Sequence, residues 1–247
     1  MTNADHSPHV DSDPSPASGD AAASSACRFA WILLDWGASG FSTVLITLIV
    51  AYVEQVAFLD APWGLSPGVI WPWTLASAML ASAIIAPGFS AWADRRSRHK
   101  TALIASVLLG VGGLGILAIV RAGGSEGRLI LSRSAVLSGV VIANVGFDLA
   151  AIFTGSLLPA IARGGMADRL SARGFAAGYA GGAVALLIAT VIVRSHESLG
   201  LTMAGGMRLS FAFTGLWWLC FSLPITACRF GPRQPSGRDL APLGGSV

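Results

Sequence analysis

Long apolar stretches separated by short polar ones make up the sequence from about residue 28 to residue 228. Six of these stretches are about 20 residues long or longer, which is the length that a helix needs to cross the hydrocarbon core of a bilayer. Only helices and closed barrels satisfy every backbone hydrogen bond within lipid. We therefore predict an all-α integral membrane protein, a bundle of six transmembrane helices over residues 31–52, 73–93, 101–120, 134–162, 174–193 and 209–228.

The two ends of the chain differ in composition from this membrane domain, which is expected over residues 28–228. Residues 1–27 are rich in Ser, Pro, Asp and Ala, and residues 229–247 are rich in Pro, Gly and Arg. Such segments cannot bury enough apolar surface to fold, so we expect a disordered tail at the N-terminus and a flexible one at the C-terminus. The first tail lacks the basic and apolar regions of a signal peptide, so the first helix is expected to direct insertion.

Composition supports a membrane protein and argues against other classes. Of the 247 residues, 53% are hydrophobic and only 12% are charged, about half the charged fraction of a soluble domain. The net charge of +3 comes from bases at helix ends, so we expect no nucleic-acid partner. The cysteines form no C-x-x-C pair, which argues against a disulfide framework and against a metal site, and we predict no cofactor. They are Cys27, Cys220 and Cys228.

Basic residues collect on one side of the predicted membrane. The side that holds both termini carries 11 Lys and Arg residues and the other side carries 5. Because loops rich in Lys and Arg stay in the cytoplasm, we predict that both termini are cytoplasmic. Nearly all the bases are arginine, a usage typical of GC-rich bacteria, so we expect a multi-pass protein of the bacterial inner membrane in contact with the lipid bilayer.

The first helix carries a polar stripe. Asp35, Ser39, Thr43 and Thr47 follow one another at steps of four residues, so they share one slanting face. Such a face is costly against lipid, and we expect it to meet a cavity or another helix as part of a solute or proton pathway. The alternative is that Asp35 only caps the helix or extends to the cytoplasmic edge.

The fourth helix carries an acid near the centre of the bilayer. Asp148 lies fifteen residues from both Arg133 and Arg163, and Asn144 lies one turn earlier on the same face. No base lies deep in any predicted helix, so Asp148 must be either protonated or reached by water. We assign Asn144 and Asp148 to the same pathway as Asp35. The alternative is a neutral Asp148 that bonds to Asn144 for packing.

The loop after the second helix is a dense cluster of charges, and the fifth helix opens on a glycine stripe. The loop pattern resembles G-x-x-x-D-R-x-G-R-R/K, the loop between helices two and three of the major facilitator superfamily. Asp94, Arg95, Arg98 and Lys100 match it, serines stand at the glycine positions 90 and 97, and a histidine replaces a base at 99. Gly174, Gly178 and Gly182 predict close helix packing, which becomes functional only if that contact slides.

Three further motifs narrow the resemblance. Residues 34–41 resemble the "YDWANSAF" opening of the vacuolar amino-acid effluxers, an autophagy-named branch of the superfamily. Residues 157–161 resemble its "LLP-x-I" end of helix four, and residues 169–182 resemble its "R-x-S-x-x-G-x-A-x-GY-x-GG" opening of helix five. Thr154 and Gly155 depart from the family, which usually has Tyr and Asn there. The motifs cover about residues 31–228, which correspond to only the N-terminal six helices of a twelve-helix family.

The resemblance implies a function. In the superfamily, two six-helix domains, each built from 3+3 inverted repeats, rock about a midplane site, and helices one and four line the cavity. Helices three and six face lipid there. The loop acid, at Asp94 here, helps to latch the cytoplasmic side, and we group Arg95, Arg98 and Arg169 with it as a cytoplasmic gate.

We therefore expect a half-size secondary transporter for a small polar solute such as an amino acid, coupled to protons. It would need a second half from a homodimer or a partner chain. The alternative is a non-transporting subunit or assembly factor of a larger membrane complex, with the glycines of helix five and the aromatic helix six as docking surfaces. The chain shows no H-E-x-x-H or G-x-S-x-G motif, so we do not expect an enzyme.

Overall fold

Six long helices make up the computed structural model, which describes residues 25–61, 64–121, 126–162 and 164–229, with side chains from residue 132 in the third of these segments. The helices are α1 (Ser25–Ala57), α2 (Pro67–Arg95), α3 (His99–Ile119), α4 (Glu126–Ile161), α5 (Gly165–Arg194) and α6 (Met203–Ser222), and α6 continues into a 3₁₀ turn (Leu223–Ala227). Each has a stretch long and apolar enough to cross a membrane. The predicted six-helix membrane fold is confirmed, while the two tails lie almost entirely outside the described residues.

The helices extend beyond the predicted spans, most clearly at the start of α5. This helix begins at Gly165, so most of the segment expected to be a basic loop before residue 174 is helical. Its residues include good helix formers such as Met166, Ala167 and Leu170, and Leu170 is buried at 4% exposure against the bundle. Arg169 therefore lies on the first turns of α5 and not in a loop.

The helices form two layers. In the front layer α2 packs on α4, α4 contacts α1, and α1 packs on α5. Behind them, α3 packs on α4 and α6 packs on α1, and the two back helices contact each other. If helices one to three are exchanged for helices four to six, this set of contacts maps onto itself, which is the pattern of the 3+3 repeat.

Close contact between α3 and α4 depends on glycine. A methyl group at Gly113 would lie 2.6 Å from the carbonyl oxygen of Gly139, and one at Gly146 would lie 2.8 Å from that of Ser106. Gly112 and Gly115, in contrast, have nothing within 4 Å. Close packing of α3 therefore depends on some of its glycines and not on all of them.

The aromatic side chains of α6 lie partly inside the bundle. Trp218 is only 1% exposed and stacks on Phe41 of α1. Trp217 and Phe221 both contact the ring of Trp36 on α1. The resemblance implied that the sixth helix faces lipid, which is only part of its role, because an apolar sequence does not distinguish a lipid-facing side chain from a core one.

The starts of α1, α3 and α5 and the ends of α2, α4 and α6 form one end of the bundle, called the basic end below. A disulfide joins Cys27 at the start of α1 to Cys228 beyond α6, with the Cα atoms 5.5 Å apart. The prediction against a disulfide was wrong. The two cysteines lie 201 residues apart in sequence, and they become neighbours only because the ends of α1 and α6 meet in the folded bundle. Cys220 is an exposed free thiol.

Candidate functional site

The polar stripe of α1 lies against the glycine stripe of α5. A methyl group at Gly178 would lie 2.7 Å from Ser39 Oγ and 3.0 Å from Asp35 Oδ2. At Gly182 a methyl group would lie 2.6 Å from Thr43 Oγ1. Two features recognised separately in the sequence are therefore the two sides of one helix contact.

Two threonine hydroxyl groups of the stripe donate to the backbone of their own helix. Thr43 Oγ1 donates to the carbonyl of Ser39 at 2.7 Å, and Thr47 Oγ1 donates to the carbonyl of Thr43 at 2.6 Å. Asp35 is half-buried, and ten residues, or about 15 Å of helix, separate it from the start of α1. Asp35 therefore lies within the contact between α1 and α5 and does not cap α1.

Asp148 bonds to a residue that the sequence did not single out. Ser82 Oγ of α2 donates to Asp148 Oδ2 at 2.7 Å, and Ser82 is only 6% exposed. The expected hydrogen bond from Asn144 is not among those found in the described part of the chain, although Asn144 is buried. Ser82 closes a buried i, i+4 ridge on α2, a periodic signal that could have identified it; the ridge is Ile70, Thr74, Ala78 and Ser82.

The two carboxylates lie at similar depth. Trp31 Nε1 of α1 donates to the carbonyl of Thr154 of α4 at 2.9 Å, which sets these residues at one level. From there Asp35 lies four residues and Asp148 six residues further from the basic end, which is about 6 Å and 9 Å along the helix axes. The depths thus differ by roughly 3 Å.

Both carboxylates also point away from the back layer. Gly146 of α4 faces α3, and Asp148, two residues later, lies about 200° further around the helix. Gly37 of α1 faces Phe221 of α6, and Asp35, two residues earlier, lies on the opposite side by the same count. The front face of the bundle therefore carries both acids.

The enclosed cavity that Asp35 lines is small. A cavity of about 20 Å³ lies between α1, α3, α4 and α6, with Leu34, Asp35, Thr154 and Ser222 among its lining residues. That volume is close to the minimum for one water. A larger groove of about 540 Å³ between α2 and α4 is mostly apolar and lies toward the opposite end. The cavity that Asp35 lines is too small for a solute.

The charged loop at the basic end is a Schellman turn. The N–H of Arg98 donates to the carbonyl of Ala93, that of Ser97 donates to the carbonyl of Asp94, and Ser97 has a φ of 50°. Glycine is favoured at such a position, which explains the glycine of the family pattern that Ser97 replaces.

His99 links this loop to α4. Its Nε2 atom lies 3.3 Å from Asp94 Oδ1, and its Nδ1 atom lies 3.4 Å from Ser156 Oγ. The side chains of Arg95, Arg98 and Arg169 are exposed. The gate residues predicted from sequence thus share the basic end, with Asp94 held by the histidine that replaces a family base.

Basic side chains satisfy helix C-termini at both ends of the bundle. Lys100 Nζ donates to the carbonyls of Thr226 at 2.9 Å and Cys228 at 2.8 Å, at the end of α6. At the opposite end, Arg133 Nε donates to the carbonyl of Ala57 at 2.9 Å. Cations favour helix C-termini, where the carbonyls lack partners. Neither contact was predicted.

Arg133 also holds an acid beyond α1. Its guanidinium pairs with Asp60 and lies 5.8 Å from the centre of the Phe58 ring. The hydrogen bond from Arg133 lowers the pKa of Asp60 below its usual value. The site therefore keeps its ion pair at neutral pH.

Comparisons with known proteins agree with this architecture. The family described as "Vacuole effluxer Atg22 like" matches residues 164–242. The uncharacterized MFS-type transporter YxiO of Bacillus subtilis (strain 168) is 25% identical over 198 residues, which are 79% of this chain and 44% of that protein. The xylose transporter XylE from E. coli, solved in an inward open conformation, matches with a TM-score of 0.59 and 18% identity.

The matches also bear on length. The alignment to XylE covers 84% of this chain and 48% of XylE, so the chain spans about half the length of the relatives that it matches. XylE shows the fold alone, while the family match and YxiO carry the sequence relationship. The chain is a multi-pass membrane protein that resembles the Atg22-like effluxers, and its six-helix bundle has the fold of one half of a major facilitator transporter.

Proposed function

We propose that this bundle is one half of a secondary transporter that moves a small polar solute, such as an amino acid, with coupling to protons. A second six-helix bundle, from a partner chain or a second copy, would supply the other wall of the pathway. The protein would lie in a bacterial plasma membrane with its basic end in the cytoplasm, as the distribution of Lys and Arg favours.

The observation that carries the proposal is the placement of two acids on counterpart helices. Asp35 on α1 and Asp148 on α4 are half-buried on the front face at similar depth. Asp35 lies where α1 packs against α5, and Asp148 lies where α4 packs against α2. In each pair the two helices belong to different repeats. An ionisable group within a membrane helix is costly, and such groups mark solute, ion or proton pathways. Ser39 and Thr43 with Asp35, and Ser82 and Asn144 near Asp148, would form the polar pathway.

The basic end would act as the gate. Arg95, Arg98 and Arg169 are exposed there, so they can meet acidic side chains or helix C-termini of a second bundle. Asp94, paired with His99, would exchange that partner when the gate closes.

The docking-scaffold alternative has less support. It assigned the glycine stripe of α5 and the aromatic residues of α6 to outside partners. The glycines pack on Asp35 and Ser39 of α1, and Trp217 and Phe221 pack on Trp36. The surfaces that this alternative requires are therefore largely occupied within the chain.

The test is proton-coupled flux in proteoliposomes that contain the protein together with any bundle that co-purifies with it. Asp35→Asn and Asp148→Asn should each reduce flux driven by a pH gradient while leaving the amount of inserted protein unchanged. Glu197→Gln is the matched control, because this carboxylate is 90% exposed in the loop between α5 and α6. Full coupled flux in both Asp variants would refute the proposal.

A further inference from the structure

The disulfide lies at the end of the bundle that the distribution of Lys and Arg favours as the cytoplasmic one. Cys27 is the third residue of α1, and Cys228 directly follows the turn that ends α6, so the bridge joins the first helix to the last. Glutathione and thioredoxin keep thiols reduced in the cytoplasm, and the disulfides that do form there are usually transient or redox-sensing. A permanent structural bridge is therefore not expected at this end.

The fold brings the two cysteines together by contacts that involve neither sulfur atom. Cys27 is 7% exposed and Cys228 is 4% exposed, and their Cα atoms lie 5.5 Å apart, within the usual range for a bridge. Ile225, three residues before Cys228, is fully buried. Lys100 of α3 donates to the carbonyls of Thr226 and Cys228 and so holds the end of α6 in place. Because these contacts remain when the bridge is reduced, the two thiols stay adjacent.

Both sulfur atoms lie close to points where the chain can open. Cys27 lies in the first turn of α1, and Cys228 lies just beyond the last turn after α6. Ala26 and Ala227, which precede the two cysteines, are exposed. Terminal turns open locally at a much lower free energy than a helix core. A cytoplasmic thiol or disulfide can therefore reach the pair without unfolding the bundle.

We infer that Cys27 and Cys228 form a reversible thiol–disulfide pair, which fastens the start of α1 to the end of α6 when the cytoplasm becomes oxidising. In the oxidation, the two thiols give two electrons and two protons to a small disulfide such as oxidised glutathione, which becomes two glutathione molecules. Exchange with two reduced glutathione molecules opens the bridge again. The inference rests on the orientation given with the proposed function, but it requires neither transport nor a second bundle.

The bridge changes how the bundle can come apart. α1 and α6 pack on each other, and in the reduced protein this contact can open from the basic end. A covalent link between residues that are 201 apart in sequence prevents this opening and restricts the unfolded chain. The oxidised protein should therefore have a thermal midpoint about 4 °C or more above that of the reduced protein. Amide exchange over residues 25–30 and 223–228 should be slower in the oxidised protein.

The number of free thiols in living cells tests the inference. Cells that express the protein are quenched with acid before and after treatment with the thiol oxidant diamide, and the denatured protein is alkylated with a high-mass maleimide. The reduced protein has three free thiols, and the bridged protein has only that of Cys220. We expect three labelled thiols in untreated cells and one after diamide. One thiol in untreated cells would indicate a permanent bridge, and three after diamide would show that no bridge forms; either result overturns the inference.

Variants separate the pair from the third cysteine. Cys27→Ser and Cys228→Ser should each abolish the difference in thermal midpoint between protein in reduced and in oxidised glutathione. Cys220→Ser is the matched control and should keep this difference, because Cys220 is an exposed free thiol on α6. A difference that persists in Cys27→Ser would contradict the inference. The thiol count in the wild-type protein decides the question even if a variant fails to fold.

The inference and the proposed function fail in different ways. Coupled flux that depends on Asp35 and Asp148, in a protein with a single free thiol in untreated cells, would leave the transporter proposal standing and remove the inference. Three thiols that become one after diamide, in a protein whose flux ignores both Asp variants, would do the reverse.

Discussion

Replacing Gly178 by alanine tests the contact on which the candidate site depends. The added methyl group would lie 2.7 Å from Ser39 Oγ, 3.0 Å from Asp35 Oδ2 and 3.2 Å from Asp35 Cγ. These are side-chain atoms, so rotation of Ser39 and a shift of the carboxylate can relieve part of the overlap. Gly178→Ala should therefore displace Asp35 without preventing folding.

The expected magnitude follows from two opposing effects. Alanine stabilises a helix interior by about 0.5–1 kcal/mol relative to glycine. Overpacking a close contact costs about 1–3 kcal/mol. Gly178→Ala should thus lower the free energy of unfolding by about 0–2.5 kcal/mol.

Gly112→Ala is the matched control for this change. Gly112 has nothing within 4 Å, so this variant should show only the helix gain of about 0.5–1 kcal/mol. The free energy of unfolding of both variants is measured by denaturant titration in the same detergent, and coupled flux is measured in proteoliposomes. Flux should fall in Gly178→Ala and stay at the wild-type level in Gly112→Ala. Equal stabilisation by the two substitutions would show that α5 does not approach Asp35 as described.

Two further predictions concern the ends of the bundle. Ser97→Gly should raise the free energy of unfolding by about 1 kcal/mol in the same titration, because Ser97 has a φ of 50° at a position that favours glycine; a loss of stability would contradict the Schellman turn. Arg133→Gln should lower the thermal midpoint at pH 7, because it removes the cap on α1 and the partner of Asp60. Since Arg133 lowers the pKa of Asp60, the stability from this ion pair is present above the usual pKa of a carboxyl group and is lost as pH falls through the lowered value. The difference in thermal midpoint between wild type and Arg133→Gln should therefore become smaller in acid. A difference that does not depend on pH would show that the ion pair does not cause the loss of stability.

Orientation within the helix layers was only partly accessible to sequence reasoning. The steps of four from Asp35 to Thr47 indicated one polar face, and the glycines from 174 to 182 indicated a close contact. Nothing in the sequence showed that these faces meet each other, because that depends on which helices are neighbours. Ser82 was missed for the same reason: a serine in an apolar helix becomes informative only when its rotation toward Asp148 is known.

The ends of the bundle show a similar division. The charged loop and its arginines were evident as a cluster, and the structure adds that His99 joins Asp94 to Ser156. The disulfide between Cys27 and Cys228 was not predicted, since residues at opposite ends of a chain become neighbours only when six helices close into a bundle.

The sequence by itself determined the number of helices, their membrane class and the end that carries the bases. In lipid each helix satisfies its own backbone hydrogen bonds, so about 20 apolar residues define a span whatever its neighbours are. The tertiary structure alone decided which sides of the helices face one another, and so gave Asp35 and Asp148 a common front face. Lipid and protein interior are equally apolar, and an apolar sequence therefore does not specify which of the two a side chain will meet.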